Sequence, residues 1–531
     1  MTPKHRMFAK VTSTSIIRNV RLVKDNMASL EEWSDIADTA LIGIFSRLSD
    51  LDRLNAACTC KNWYRLFSTS ALWRWRRVKF DTASPELTAE REIKFLDKFG
   101  HCLNKLSISL GRPNFKTCMT ISKAAGVYFQ RMHSRNDIRL RILELEGLHM
   151  EQRWHFALSR NRLVSSLCKM IRKQKYIESI YMASARMRLV DGSRILEALA
   201  KGATGSTIKN IYMEDFFEHN VFPFRYERFV TAMSKFSSLE SLNINYRYIN
   251  GVMLRNMANK LNHCLKNLSL VIEGDVRGIE IPADVWTEFG ERCPGAEVGI
   301  YLCTTVVRGN DLRTTFVRGI PIGHVYLTSW SRVDETESRL AALLRHLGNL
   351  YHNSMNSFAM FFEQHERIDA GLLFLLRRCR HLEDLCVQAR LSADTVIEIM
   401  KLHHQNRLAL KSINLTVPGL TSDDWRRIDA EKERLLTAVP DFIYVGPTEF
   451  GSSTSGSSTD STDDVNEDVD DGGDDVIIDD DDEVFLINAN NLDVEVELER
   501  DDDADNEEEG LGFILPPRDM NNNDDDNNAL E

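Results

Sequence analysis

Side chains able to do covalent or hydrolytic chemistry are scattered along this 531-residue chain, and none falls into a working pattern. His403 and His404 are adjacent, but no other His or Cys stands beside them at zinc-ligand spacing. A solvated pair is expected there, and no metal. Cys58-Thr59-Cys60 is neither CxxC nor a zinc spacing. The ten cysteines lie between residues 58 and 386, several at apolar positions of periodic segments, such as Cys168 in LVSSLCKMI. They read as reduced, small core residues of a cytosolic or nuclear protein. Carboxylates crowd residues 499–503 and 507–509. A catalytic pair needs a walled site that separates two pKa values, and a flexible acidic run has no walls. The chain holds no phosphate-binding GxxxxGK(S/T), no GxGxxG, no HExxH and no GxSxG. No catalytic residue and no cofactor are expected, which leaves recognition as the chemistry to look for.

Charge divides the chain. The net charge is −13, yet residues 451–531 hold 30 acids and only two bases, Arg500 and Arg518, for a local net of −28. The preceding 450 residues carry a net of +15. This is a basic body joined to an acidic tail, not an acidic globular protein. Residues 446–531 open with a Gly/Ser/Thr linker and are expected to be disordered. Within them Val484-Phe485-Leu486-Ile487 follows a run of acids. It resembles a SUMO-interacting motif, which would add an edge strand to its partner; accidental apolar residues in a solvating tail are the alternative. At the other end, residues 1–29 are basic and carry no acid before Asp25. They lack an apolar h-region and read as a flexible leader, loosely similar in composition to a mitochondrial transit peptide. No window approaches ~18 consecutive apolar residues, so no membrane span is expected.

The first organised element covers residues 30–80. Leu41, Ile44, Phe45 and Leu48 follow i, i+3, i+4, i+7, which places one apolar stripe on a helix. Ser49 with Asp52 offers a capping box for a second helix carrying Leu51, Leu54 and Cys58. Trp63, Leu66 and Phe67 form a third stripe, and Leu72-Trp73 closes the unit. Three short helices bury little surface alone, so a partner or a neighbouring domain is expected to cover part of them. The order Ile36, Asp38, Leu41, Ile44, Phe45, Leu48, then Cys60-Lys61, Trp63-Tyr64-Arg65-Leu66, then Ser70, Leu72, Trp73 resembles an F-box. Members usually begin Leu-Pro-Asp where this chain has Ile36-Ala37-Asp38. The resemblance implies docking on Skp1, and through it on a cullin. The contact residues it implies are Ile36, Leu41, Ile44, Leu48, Leu51, Leu54, Trp63, Leu72 and Trp73.

Residues 81–445 repeat apolar-x-x-apolar-x-apolar. The copies begin at Leu103, Leu140, Ile177, Ile208, Leu239, Leu265, Ile322, Met355, Leu382 and Leu410. A gap of 57 residues holds a degenerate copy at 296–302. Helical patterns lie between copies, and Thr421 with Asp424 forms a further capping signature. A short strand and a helix repeating near every 30 residues predict an irregular leucine-rich-repeat-like solenoid, with parallel strands in front and helices behind. The predicted class is therefore α/β: three F-box helices, the solenoid, then the tail. In each copy the residue between the last two apolar positions points to the open face. That row reads Ser107, Glu144, Tyr181, Tyr212, Asn243, Ser269, Tyr326, Ala359, Cys386 and Asn414. One step further along the strands lie Glu214, Asn245 and Phe361. Tyr181, Tyr212, Glu214, Asn243, Asn245, Tyr326 and Phe361 are the candidate substrate contacts, because Tyr brings large contact area at low entropy cost.

An F-box followed by such a body is similar to the F-box and leucine-rich-repeat architecture. It implies a non-catalytic adaptor that recruits a protein substrate to a Skp1–cullin–F-box ubiquitin ligase. The alternative is a scaffold or nucleic-acid-associated repeat protein outside any ligase. Its basic charge is spread along the chain and no nucleic-acid motif occurs, so nucleic acid is not the expected partner.

Overall fold

A computed structural model describes residues 36–444, apart from 81, 112–114, 147, 149–156, 203, 274–275, 277, 304–313, 330–336, 363–367, 406 and 436–441. The expected leader (1–29), acidic tail (446–531) and SUMO-like segment (484–487) lie outside the described residues.

The described residues open with three short helices, α1 (Asp38–Ser46), α2 (Asp50–Ala57) and α3 (Lys61–Phe67), and a 3-10 turn over Ser70–Trp73. The expected capping box forms at α2. Ser49 Oγ accepts the Asp52 amide at 3.2 Å and donates to the Asp52 carboxylate at 2.7 Å. Arg65 reaches back to Asp38 at 2.6 Å, tying α3 to the start of α1.

Among the described residues thirteen parallel strands follow in chain order, forming one sheet. They are β1 (Trp75–Lys79), β2 (Lys105–Ser109), β3 (Ile142–Glu146), β4 (Ser179–Tyr181), β5 (Asn210–Met213), β6 (Ser241–Asn245) and β7 (Asn267–Glu273), then β8 (Glu297–Cys303), β9 (Ile322–Ser329), β10 (Ser357–Phe362), β11 (Asp384–Gln388), β12 (Ser412–Thr416) and β13 (Phe442–Tyr444). The helices that matter below are α4 (Pro85–Phe99), α5 (Phe115–Ser134), α6 (Ala157–Lys173) and α7 (Leu189–Lys201). Neighbouring helices of the body pack on one another behind the sheet. This is the predicted repeat architecture, and the periodicity explains it. In β7, Leu268, Leu270 and Ile272 are buried while Asn267, Ser269, Val271 and Glu273 face the other way. Every strand copy sends its two final apolar residues into one core that runs from Val78 to Leu435. Each fully buried Leu or Ile contributes roughly 1.5–3 kcal/mol. No repeat can bury both sides of its own strand, so neighbours fold as a stack.

Local chemistry sets the helix starts. Thr421 and Asp424 cap one another reciprocally, as the sequence predicts. Between α6 and α7 a buried Arg160–Asp191 pair, 3.0 Å apart, takes the place of an apolar contact.

Candidate docking face and concave surface

The N-terminal unit sorts the nine expected contact residues into three sets. Leu41, Leu72 and Trp73 are buried in the unit itself, together with Phe45, Ala57, Leu66 and Phe67. Trp73 donates its indole N–H to the Phe67 carbonyl at 2.6 Å. Ile36, Leu48, Leu54 and Trp63 pack half-buried against that cluster. Ile44 and Leu51 are 45% and 60% exposed, and Tyr64, which the sequence reading did not single out as a contact, is 57% exposed. Ile44 sits in the last turn of α1 and Leu51 in the first turn of α2. The helices thus spend their large residues both inward and outward, a pattern that a half-buried docking unit requires.

The small core does not end with the unit. Trp73 stacks on Phe99 of α4 at 4.4 Å and 20°, and Phe95 packs beside it. Arg76 of β1 joins both sides. Its guanidinium bonds to both oxygens of the buried Glu92 at 2.7 Å, pairs with Asp50 of α2, and lies 4.4 Å from the Phe95 ring. A partner or a neighbouring domain was expected to cover part of the three helices, and α4 covers the part around Trp73.

The open face of the sheet holds the second candidate surface. Tyr181 and Tyr212 are paired across β4 and β5, and their rings stack at 4.3 Å and 3°. The Tyr181 hydroxyl is held above its usual range by burial and by the adjoining Tyr212. Tyr212 pairs with Asn243, and Asn243 with Ser269. There the expected single row breaks. Ser269 pairs with Gly299 of β8, and Gly299 with His324, because Ile322 pairs with Val298 and a bulge skips Gly323. Tyr326 instead pairs with Tyr301, which stands opposite Val271. Tyr326 therefore continues the row of Asn245, one step along from Asn243. Its ring lies 5.8 Å from Tyr301 and 5.1 Å from Phe361, so an aromatic strip spans β8 to β10. Tyr301 was missed because the copy at 296–302 carries apolar residues at 298, 300 and 302, which leaves two registers open.

A second correction concerns exposure. Tyr212, Asn243 and Asn245 were expected to face solvent, yet only 7%, 6% and 2% of each is exposed. Strands stand only about 5 Å apart, so large neighbours on one face cover one another. Asn245 is further engaged as a clamp. Its Oδ1 accepts the Asp215 amide and its Nδ2 donates to the Asp215 carboxylate, both at 2.7 Å. That clamp holds Asp215 at φ +49°, a left-handed conformation that Asp tolerates better than most residues.

The clamp also builds a buried acidic trough that the sequence reading saw only through Glu214. Backbone bonds pin the chain after β4 to the chain after β5: Ser184 N–H to the Glu214 carbonyl at 2.8 Å and Arg186 N–H to the Asp215 carbonyl at 2.9 Å. Glu214 is pushed up to about 7 by burial, with Asp215 adding to it. Glu273, at the end of β7, is pushed up to about 7 by burial and by Asp215, to which it hydrogen-bonds. Arg247 reaches the Glu273 backbone carbonyl at 2.5 Å. Glu214 Oε2 and Asn243 Oδ1 are buried without a hydrogen-bond partner among the described residues. The available signal was an acid pair directly after one strand copy and an acid ending another. Only the fold shows that they meet.

His403 is half-buried at the end of its helix. Among the described residues no group of three or more His, Cys, Asp or Glu could hold a metal ion, and no helix is long and apolar enough to cross a membrane.

Residues 38–79 match the family model described as F-box-like. An F-box-like domain therefore precedes a long parallel-strand α/β body. Such a domain implies, in general, Skp1 binding and the role of a non-catalytic adaptor in a Skp1–cullin–F-box ubiquitin ligase.

Proposed function

We propose that this protein is the substrate-recognition subunit of a Skp1–cullin–F-box ubiquitin ligase. Its N-terminal unit docks Skp1, and the open face of its sheet recruits a protein substrate. Catalysis belongs to other subunits; this one acts by proximity, raising the local concentration of substrate lysines at the ligase. Its place of action is the cytoplasm, the nucleus or both. Within that class it resembles F-box only protein 39 and its relative F-box only protein 33, in the order and spacing of LWRWRRVKF (72–80), KFGHCLNKLSI (98–108), IYMEDFF (211–217) and SLNINYRYIN (241–250).

The observation that carries the reading is the outward apolar set Ile44, Leu51 and Tyr64 on a unit whose other large residues are already packed. Leu41, Leu72 and Trp73 hold the frame, while Ile36, Leu48, Leu54 and Trp63 line its edge. The test is an Ile44→Glu/Leu51→Glu variant in a Skp1 pull-down. Both positions are exposed, so folding is expected to survive and Skp1 recovery to vanish. Skp1 recovery at the wild-type level, from variant protein that melts normally, would remove the basis of the adaptor reading.

A further inference from the structure

Basic charge that reads as spread along the sequence is gathered by the fold at one edge of the sheet. Residues 131–141 and 169–175 hold eight Lys and Arg and a single acid, Asp137. They form the C-terminal ends of α5 and α6 and the turns that lead into β3 and β4. The helix ends touch, with His133 Nδ1 3.0 Å from the Lys169 carbonyl. The turns touch as well, since the Glu178 amide donates to the Arg141 carbonyl at 2.8 Å. Two further acids reach in, Asp97 from α4 and Glu178 from the start of β4. Eight bases against three acids leave a local net of +5. Helix dipoles account for a small part of it. Each helix C-terminus carries about half a negative charge, so the two ends together call for about one base.

The acids present are already taken. Asp97 bonds Arg131 at 2.6 Å and Arg135 at 3.3 Å, Asp137 pairs with Arg135, and Glu178 lies 3.6 Å from Arg141. On α7, Asp191 is held by Arg160 and Arg194, and Glu197 by Lys201 and Arg228. Lys169, Arg172, Lys173 and Lys175 are exposed, and none forms an ion pair with a described residue. Further along the same edge the bases that precede strands are paired. Lys209 and Lys266 share Glu240 at 3.1 and 2.6 Å, and Lys411 meets Glu383 at 2.7 Å. An aromatic ring stands among the free bases. Tyr176, in the turn before β4, is 47% exposed, and the Arg139 guanidinium lies 5.8 Å from its ring.

We propose that this edge binds single-stranded RNA, with phosphates on Lys169, Arg172, Lys173 and Lys175 and a base stacked on Tyr176. Charges strung along two helix ends and a turn suit a chain of phosphates better than one compact anion. The exposed ring then separates the polyanions. A nucleobase stacks on an aromatic side chain whatever its identity, whereas an acidic peptide gains nothing from it. A duplex keeps its bases stacked inside and offers the ring none. Contacts to phosphate carry no sequence information, so the edge should tolerate many sequences. In the cytoplasm and nucleus, where the protein is proposed to act, single strands are chiefly RNA. The edge lies where the strands begin and is not the open face assigned to the protein substrate, so this partner is an additional one.

The experiment titrates the full-length protein into a fluorescent oligouridylate of about twelve nucleotides. Anisotropy is read between about 50 and 200 mM salt. Four phosphate contacts on a single strand give log K against log salt a slope of about −3. Lys169→Gln/Lys173→Gln should halve that slope. Tyr176→Ala should lower affinity at least about fivefold and leave the slope unchanged. Lys411→Gln removes a base already paired with Glu383 and should change neither. All four positions are exposed, and melting temperatures verify folding. Competition on the wild type needs no variant: polyglutamate of equal charge and a duplex of equal length should displace the probe only weakly. Oligothymidylate should bind about as well as the probe, since none of these contacts reads the 2′-hydroxyl; a clear preference for it overturns the assignment to RNA. No binding at the lowest salt overturns the proposal. Equal displacement by polyglutamate or wild-type affinity of Tyr176→Ala also overturns it, and makes the edge a general polyanion surface. Tighter binding of the duplex does so too. A loss in Lys411→Gln as large as in Lys169→Gln/Lys173→Gln assigns the attraction to the overall charge of the body. Ile44→Glu/Leu51→Glu protein should bind the probe like the wild type, so this inference and Skp1 docking fail separately.

Discussion

The F-box-like unit and the repeat body treat their surfaces in opposite ways. The unit has a core of a few side chains, extends it into α4 through Phe95 and Phe99, and shows Ile44, Leu51 and Tyr64 to solvent. In the body one continuous core takes the two final apolar residues of every strand copy, and the open face also holds residues away from solvent: Tyr212, Asn243, Asn245 and, in part, Glu214 and Glu273. One region turns Ile44, Leu51 and Tyr64 outward, and the other buries polar atoms without partners among the described residues, acceptors on Glu214 and Asn243 and a donor on Arg186. An apolar face suits a stable, shape-matched subunit, whereas unpaired buried polar groups cost the fold stability.

The largest expected effect concerns the seam between the regions. Arg76→Ala leaves Glu92, which is almost wholly buried, with only the exposed Arg91 as a cation. Breaking a buried pair from one side costs roughly 3–5 kcal/mol. Hydrogen exchange should show α1–α3 and β1 losing protection while β5–β7 keep theirs, because stability in a stacked array is mostly a neighbour property. Unchanged protection in α1–α3 would mean that the unit stands without its α4 cover. An Arg76→Met/Glu92→Leu pair should restore most of the loss, since apolar replacement of a buried ion pair is often neutral.

A smaller effect separates the trough from its scaffold. Glu214 and Glu273 have folded values raised from 4.5 to about 7. Raised carboxyl values mean that the folded state binds protons more tightly than the unfolded state. Their contribution is therefore fully present below about 4.5 and is lost as the pH rises through about 7. The melting temperature of the wild type should fall between pH 5 and pH 8. Glu214→Gln/Glu273→Gln should flatten that slope and stabilise the protein at pH 8 by on the order of 2 kcal/mol. Greater stability at pH 8 means that the wild type keeps the two carboxylates at the fold's expense. A variant less stable at pH 8 would instead make the glutamates structural.

How legible each region was in the sequence follows from the range of its interactions. Local devices read well. The Ser49–Asp52 and Thr421–Asp424 caps need three residues of context, and the strand copies need six. The stripe at Leu41, Ile44, Phe45 and Leu48 correctly gave a helix, but not which members face inward, since a stripe on a nine-residue helix serves a core and a partner equally. Register across β8 depends on a bulge between Val298 and Gly299, and alternating apolar residues on both sides leave the offset undetermined until the neighbours pack. The trough was least legible. Asn245 reads as an outward residue by parity, and only the left-handed turn at Asp215 turns it into a buried clamp.

The smallest expected effect tests the one departure from the usual F-box opening. Ala37 occupies the N-cap of α1 with φ −53° and ψ 134°, and its side chain makes no capping bond. A proline ring holds φ near −65°, so the backbone already has the shape that proline requires. The Ala37 carbonyl accepts from Ala40 at 2.9 Å and Leu41 at 3.1 Å, and a proline carbonyl can do the same. Ala37→Pro should therefore stabilise the unit by about 0.4–1 kcal/mol, chiefly by restricting the unfolded chain. Because Ala37 is exposed, the substitution also adds apolar surface beside Asp38, on the same unit as Ile44 and Leu51. Skp1 affinity should rise by a few-fold at most if the chain start touches the partner, and remain unchanged if docking is confined to the α1–α2 junction. Calorimetry on wild type and variant distinguishes the two contact maps, and a drop in affinity would place the partner where a proline ring collides with it.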